Sequence, residues 1–157
     1  MKKAFTMIEL IFVIVVVGIL AAIAIPKFSV TRDDAVITRA RNTVASIRSA
    51  MSNEVQKRIM QGNYNQIQDL GGTDNAYNSP LFTYFDGDEN TGTGKVLEYP
   101  IYSCKDASST GCWIKKGRGR YEFKFPPSIG GSAIFKVDNN HFVCERPATE
   151  ECKILEH

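Results

Sequence analysis

Four cysteines, Cys104, Cys112, Cys144 and Cys152, all lie in the C-terminal third of the chain, and each successive pair is eight positions apart. An even count suits two disulfide bridges in an oxidising compartment such as the periplasm. Local bridges, Cys104 to Cys112 and Cys144 to Cys152, would each close a short loop and stabilise by about 2 to 3 kcal/mol, mostly through the unfolded state. The sequence leaves the other two connectivities open. As zinc ligands, together with His141, these cysteines are spaced more widely than the gaps of about two to four residues in structural zinc knuckles.

The run Asp86-Gly87-Asp88-Glu89-Asn90-Thr91-Gly92 sets oxygen-bearing side chains at alternate positions, the pattern a hard cation such as calcium prefers in a tight loop. The match is partial. An EF-hand loop wants Gly where Thr91 stands and Glu where Leu97 stands, so only Asp86, Asp88 and Asn90 fit. A solvated acidic turn is the plainer reading, calcium the alternative, and no other cofactor is implied. Lys115-Lys116-Gly117-Arg118-Gly119-Arg120, flanked by Trp113 and Tyr121, is a dense basic stretch able to meet DNA phosphates or anionic polymers. Its plainer reading is a hairpin tip with solvated charges.

Two further patterns fall short of a site. Gly92-Thr93-Gly94-Lys95 resembles the end of a phosphate-binding loop, but Val96 follows the lysine where Ser or Thr would hold magnesium, which leaves a turn. The only histidines are His141, on a predicted strand, and His157. With no nucleophile motif near either, the chain is expected not to be an enzyme. Nineteen basic residues against seventeen acidic ones give a formal charge of +2. Removal of a leader carrying Lys2 and Lys3 would bring the balance to zero, so bulk attraction to nucleic acid is not indicated.

The remaining chemistry sits at the N-terminus, in Glu9. Leu10 to Ile25 reads LIFVIVVVGILAAIAI without a polar side chain, and extension back to Phe5 adds only Thr6 and Glu9 as polar members. As a helix, Phe5 to Ile25 spans about 31 Å, the thickness of a bilayer's hydrocarbon core. Lys2 and Lys3 precede it, which places the N-terminus in the cytoplasm and everything after Pro26 outside. A carboxylate in such a segment is costly toward the bilayer centre. Near the helix start, unpaired amides and the positive end of the macrodipole partly offset it. Glu9 is therefore either a tolerated interfacial charge or an intramembrane charge awaiting a partner.

Ala4, followed by Phe5-Thr6-Met7-Ile8-Glu9-Leu10 and an apolar run ending Gly18-Ile19-Leu20-Ala21-Ala22-Ile23-Ala24-Ile25-Pro26, closely resembles the start of type IV pilins and type II secretion pseudopilins. The resemblance covers about the first 28 residues. It implies a leader, Met1 to Ala4, cut by a prepilin peptidase between Ala4 and Phe5, with N-methylation of the new terminal Phe5. It implies that Glu9 neutralises the terminal amine on Phe5 of a neighbouring copy during filament assembly. The implied partners are copies of the chain, related minor pilins, the peptidase, the inner membrane and an assembly platform with a cytoplasmic ATPase. Most family members have Gly in place of Ala4 and Leu in place of Met7. A secretory signal peptide cut after Ala22-Ile23-Ala24 is the competing reading, but Glu9 between the basic start and the apolar run is unusual for one.

Beyond Pro26, which removes a backbone donor and is expected to kink the helix, with Gly18 a second weak point, Val36, Ala40, Val44, Ile47, Met51, Val55 and Ile59 mark one face of an amphipathic helix. Arg32, Arg39, Arg41, Arg48 and Arg58 mark the other, and Gly62-Asn63 supplies a stop. Residues 64 to 80 read as a loop. Leu81 to Phe85, Val96 to Tyr102, Trp113 to Lys115, Tyr121 to Phe125, Ala133 to Val137 and His141 to Glu145 read as strands, with a hairpin turn at Asp138-Asn139-Asn140. The predicted fold is α+β and pilin-like, a long N-terminal helix with an antiparallel sheet packed on its second half. Its segments are a leader at 1–4, a transmembrane and assembly helix at 5–25, its amphipathic continuation at 26–62 and a periplasmic head at 63–157. The predicted function is that of a structural subunit of a type II secretion pseudopilus or type IV pilus-like filament. The alternative is a DNA-binding or adhesive pilin using Lys115, Lys116, Arg118 and Arg120.

Overall fold

A threonine opens the first helix. The Thr6 hydroxyl accepts the Glu9 amide at 3.4 Å and the Thr6 carbonyl accepts the Leu10 amide at 3.2 Å, the arrangement of an N-cap. From there α1 runs Met7–Met60. The computed structural model describes residues 6–156, apart from the side chains of residues 23–31. The weak point expected at Pro26 lies among those residues. The chain divides into two compact units, Met1–Ala35 and Val36–His157.

In the first unit, each large apolar side chain from Met7 to Leu20 is exposed, from 38% at Val16 to 78% at Met7. Among the described residues, no helix is long and apolar enough to cross a membrane. The stretch Phe5 to Ile25 read above as a span includes Phe5 and the side chains of 23–25, which lie outside the described residues.

In the second unit, α1 ends with Gly62 in a left-handed conformation (φ 71°), while Asn63 and Gly62 donate to the carbonyls of Arg58 and Ile59. This is a Schellman motif, which satisfies carbonyls the helix would otherwise leave open. Strands β1 (Pro80–Leu81) and β2 (Ile101–Tyr102) pair antiparallel. Strands β3 (Cys112–Gly117), β4 (Arg120–Lys124), β5 (Ser132–Asp138) and β6 (His141–Cys144) form an antiparallel meander in that order. A short helix α2 (Glu150–Glu156) closes the chain.

The β5–β6 turn holds Asn139 and Asn140 at φ 48° and 63°, the two left-handed residues that a tight hairpin matching strand twist demands and that asparagine tolerates. At the β3–β4 turn, Gly119 has φ 64°, and a Cβ there would lie 2.4 Å from the Gln68 carbonyl oxygen. That turn thus admits only glycine without displacing the 61–79 connection.

Alternation along β4 buries Tyr121 and Phe123 on one face. With Phe82, Trp113, Phe135 and Phe142 they build an aromatic cluster, in which Phe135 stacks on Phe142 at 5.1 Å and Phe82 lies 4.6 Å from Tyr121. Ala40, Val44, Ile47 and Met51 of α1 join the same core. The head's compact unit therefore begins at Val36, inside the helix, because α1 supplies one wall of the core.

Two details depart from the sequence expectation. Ile59 is 53% exposed, whereas Glu54 and Arg58 are buried. Each step of four residues overshoots a full turn by about 40°, so after Ile47 the steps to Val55 and Ile59 rotate off the buried face. Glu54 and Arg58 rotate onto it. The expected strands at 81–85 and 96–102 also shrink to β1 and β2, with a single bridge between Tyr84 and Lys95. Phe82 and Asp86 take left-handed backbone conformations there, which ends regular pairing.

Candidate assembly segment and polar sites of the head

Of the N-terminal residues singled out, Ala4 and Phe5 lie outside the described residues. Glu9 occupies the third position of α1, three residues after its Thr6 cap, and is exposed. Thr6 and Glu9 together match the S/T-x-x-E signature of a helix start, a local signal that the opening reading of Glu9 did not use. Glu9 is the only ionisable side chain between Thr6 and Ala22. Its carboxylate stands at the positive end of the helix dipole, on a surface otherwise made of exposed apolar side chains.

The cysteines pair locally. Cys104 is bonded to Cys112 with Cα atoms 5.2 Å apart, and Cys144 to Cys152 with Cα atoms 6.0 Å apart. The first bridge ties the connection after β2 to the start of β3, the second ties β6 to α2. Helix α2 was missing from the sequence reading, yet it carries a usable signal. Thr149 caps it by accepting the Cys152 amide, and Glu150 and Glu151 fill its first turn.

Around the acidic loop, the cation belongs to the chain itself. The Arg58 guanidinium donates to Glu54 Oε1 at 3.0 Å, Asp86 Oδ2 at 2.8 Å, Thr93 Oγ1 at 2.7 Å and the Asn65 carbonyl at 3.3 Å. The other Asp86 oxygen accepts the amides of Gln68 and Asp69 at 2.6 and 2.9 Å. Asp88 folds back on its own turn, accepting the amides of Asn90 and Thr91 and the Thr91 hydroxyl. The Thr91 hydroxyl, with those amides, holds the Asp88 carboxyl below its ordinary range. Thus Asp86 faces inward to Arg58, Asp88 faces its own loop, and Asn90 contributes its amide to that turn. No group of three or more histidine, cysteine or acidic side chains arranged for a metal occurs among the described residues.

Burial acts to raise the Glu54 carboxyl. Hydrogen bonds from Arg58 and Thr93, with Lys57 beside it, outweigh that and hold it below the ordinary value. Burial likewise acts to lower the Arg58 guanidinium, but Asp86 and Glu54 outweigh it and keep it above the ordinary value. The network is a buried ion pair with its remaining donors and acceptors satisfied, the condition under which such a pair persists.

The basic stretch is divided by the pleat of the sheet. Lys115 stands opposite Tyr121 on the core-facing side of β3 and is buried, where the sequence suggested a solvated charge. Its ammonium donates to Asp69 Oδ2 at 2.7 Å and to the Gly72 carbonyl at 3.1 Å, and lies 3.2 Å from Asp74. Lys116 pairs with Glu122 at 3.1 Å on the other face, and Arg120 grips both oxygens of Glu145 at 2.8 and 2.7 Å. Arg118, at the turn, is exposed. The four residues therefore do not form one basic surface.

Asp69 is the residue that sequence reasoning overlooked in the connecting loop. It receives Lys115 on one oxygen and, on the other, the Tyr121 hydroxyl at 2.8 Å and the Gly71 amide at 2.9 Å. Burial acts to raise its carboxyl, but Lys115 and Tyr121 outweigh that and hold it below the ordinary range. The same desolvation pushes the Tyr121 phenol far upward. Leu70 beside it is fully buried. The loop between α1 and β1 is thereby pinned into the core by an ion pair and an apolar anchor.

A long helix followed by antiparallel sheets makes the chain α+β, and the helix from Met7 to Leu20 exposes apolar side chains with the single carboxylate of Glu9 near its start. Comparison with known proteins agrees at the N-terminus. Residues 1–25 match the family model described as the prokaryotic N-terminal methylation motif. Over 48 residues the chain is 50% identical to the type IV narrow pilus major component PilA5 of Thermus thermophilus, covering 31% of this chain and 41% of that protein. Over 54 residues it is 39% identical to a fimbrial protein of Pseudomonas aeruginosa, covering 34% of this chain and 35% of that one. The similarity to pilus and fimbrial proteins thus lies in the N-terminal third of the chain, where residues 1–25 carry the N-terminal methylation motif. It spans about two-fifths of the first of these relatives and about a third of the second. Both are named as filament proteins and neither as an enzyme. No solved structure matches the chain.

Proposed function

We propose that the chain is a structural subunit of a type IV pilus-like filament or of the related type II secretion pseudopilus, and not an enzyme. The observation that carries this reading is the surface of α1 from Met7 to Leu20, apolar on every side, exposed, and interrupted by the carboxylate of Glu9 alone among ionisable groups. A helix apolar all round is stable only when buried in lipid or among other helices. In this reading the subunit waits in the bacterial inner membrane with its N-terminus in the cytoplasm and its disulfide-bonded head in the periplasm. Prepilin peptidase cuts between Ala4 and Phe5, Phe5 is N-methylated, and an assembly platform driven by a cytoplasmic ATPase moves the helix from lipid into a bundle of neighbouring copies, related minor pilins among them.

Glu9 gives that transfer its register. An isolated carboxylate and an isolated ammonium are each costly in an apolar medium, whereas together they match. Pairing of Glu9 with the Phe5 amine of a neighbour removes both unmatched charges in one docking geometry. The names of the relatives favour the pilus over the pseudopilus. A DNA-binding or adhesive role through the basic stretch draws no support from the head, where Lys115, Lys116 and Arg120 are each ion-paired.

Mass analysis of the chain recovered from filaments tests the proposal. The expected N-terminus is methylated Phe5. A mature chain beginning at Ile25 would instead establish the signal-peptide reading and end this one.

A further inference from the structure

The head carries an apolar groove that its own chain leaves open. It lies between α1 and the edge strand β6, has a volume of about 370 Å³, and is lined by Met51, Val55, Phe142 and Val143 with Gln56 and His141 at its polar margin. A neighbouring depression toward Tyr64 shares Val55 and Asn140 with it. That depression is lined by Ile59, which is 53% exposed, together with the polar Arg58, Asn63 and Asn65.

Helix geometry identifies the flank on which this groove lies. At about 100° per residue, the buried stripe of Ala40, Val44, Ile47 and Met51 sets the inward direction, and Ser52, Val55 and Gln56 fall to one side of it. Val36, Arg39 and Thr43 fall to the other side, where they line a depression with Ile101 and Tyr102. Further along, Ala50 and Asn53 line an open depression with Leu97 and Glu98. The segment 97–102 thus runs along the flank opposite the groove. It carries Tyr99, the most exposed aromatic side chain among the described residues at 86%, and Tyr102 at 65%.

Copies that follow one another along a helical filament are related by a rotation combined with a translation, which a two-fold contact does not supply. They need a heterologous one, in which one patch meets a different patch and the pairing repeats without closing. A concave apolar patch on one flank and a protruding aromatic patch on the other are such a pair. Resting on the filament reading above, we propose that the groove between α1 and β6 is the docking site for segment 97–102 of a second copy. Tyr99 and Tyr102 of that copy enter between Val55 and Val143, and their hydroxyls meet the polar margin at Gln56 and His141. Tyrosine suits this role because its ring supplies apolar area while its hydroxyl retains a hydrogen bond.

The test uses the full chain assembled into filaments, with a photo-activated benzophenone amino acid at Gln56, which is exposed, mixed with isotope-labelled wild-type copies. Irradiation, digestion and mass spectrometry are expected to join position 56 of one copy to the peptide containing Tyr99 and Tyr102 of a labelled copy. Cross-links to any other segment, or none, in filaments that form normally would overturn the docking site and leave the filament reading standing. Failure of the wild-type chain to form filaments at all would overturn both. Tyr99→Asp, at a side chain exposed enough to leave the fold intact, is expected to lower filament yield at least about tenfold with the processed chain at its normal level. An unchanged yield would also overturn the proposal.

Discussion

Residues 7–22 and residues 36–60 belong to one helix and present opposite surfaces. The first stretch exposes apolar side chains around its full circumference. The second buries a stripe from Ile37 to Met51 against the aromatic cluster and continues it with the buried ion pair of Glu54 and Arg58. Position along the helix thus separates two tasks. The head's stability is internal to one copy, held by a packed core, two disulfides and two buried ion-pair networks. The N-terminal stretch has its apolar side chains exposed in the single copy and gains burial only from outside it. Variants in the head's core should therefore change unfolding, and variants at Glu9 should change association.

The largest effect on the head side is expected for Phe135→Ala. Its ring is fully buried and contacts Trp113 and Phe142, so a loss of roughly 3 to 5 kcal/mol is expected in denaturant titration of the full chain in detergent. An effect under about 1 kcal/mol would break the contrast between the two stretches, because the head would then not rest on this cluster.

Removal of one bridge by replacing Cys104 and Cys112 with serine is expected to cost about 2 to 3 kcal/mol, read as a lower unfolding midpoint that reductant no longer changes at that bridge. Lys115→Met is expected to cost roughly 1.5 to 3 kcal/mol through the lost charged hydrogen bond to Asp69. It also alters the acid limb. Because the folded Asp69 carboxyl lies below its ordinary 3.8, its contribution is fully present above that value and disappears as pH falls through the lower folded value. Wild-type stability should therefore fall more steeply with acid than that of Lys115→Met, measured as unfolding midpoints from about pH 6 downward.

The smallest effect is expected at the exposed turn. Arg118→Ala should stay within about 0.5 kcal/mol of wild type. Chelation of divalent cations should likewise leave the unfolding midpoint unchanged, since Arg58 occupies the position at Asp86 that a metal would need.

Much of the fold was legible because it rests on periodicity. Alternation of Tyr121, Phe123 and Phe125 marked a one-sided strand, and Asp138-Asn139-Asn140 marked a hairpin. What was not legible depended on contacts distant in sequence. Nothing near Asp69 announces that Lys115, 46 positions away, will turn inward to meet it. The basic stretch looked like one patch because a one-dimensional run hides the pleat that sends Lys115 and Lys116 to opposite faces. The misplacement of Ile59 and Arg58 was avoidable, since helix rotation alone predicts the exchange. Glu9 was singled out by its type and position alone, whereas the capping role of Thr6, three residues before it, appeared only with the geometry.

The most direct test of the account compares Glu9→Gln with wild type in cells, scoring filaments by electron microscopy and N-terminal processing by mass. The variant is expected to enter the membrane and be cut at Phe5 as usual, with filaments reduced at least about tenfold, because the neutral side chain leaves the neighbouring amine unmatched. Normal filaments from a fully processed Glu9→Gln chain would contradict the claim that this carboxylate makes the helix an assembly element.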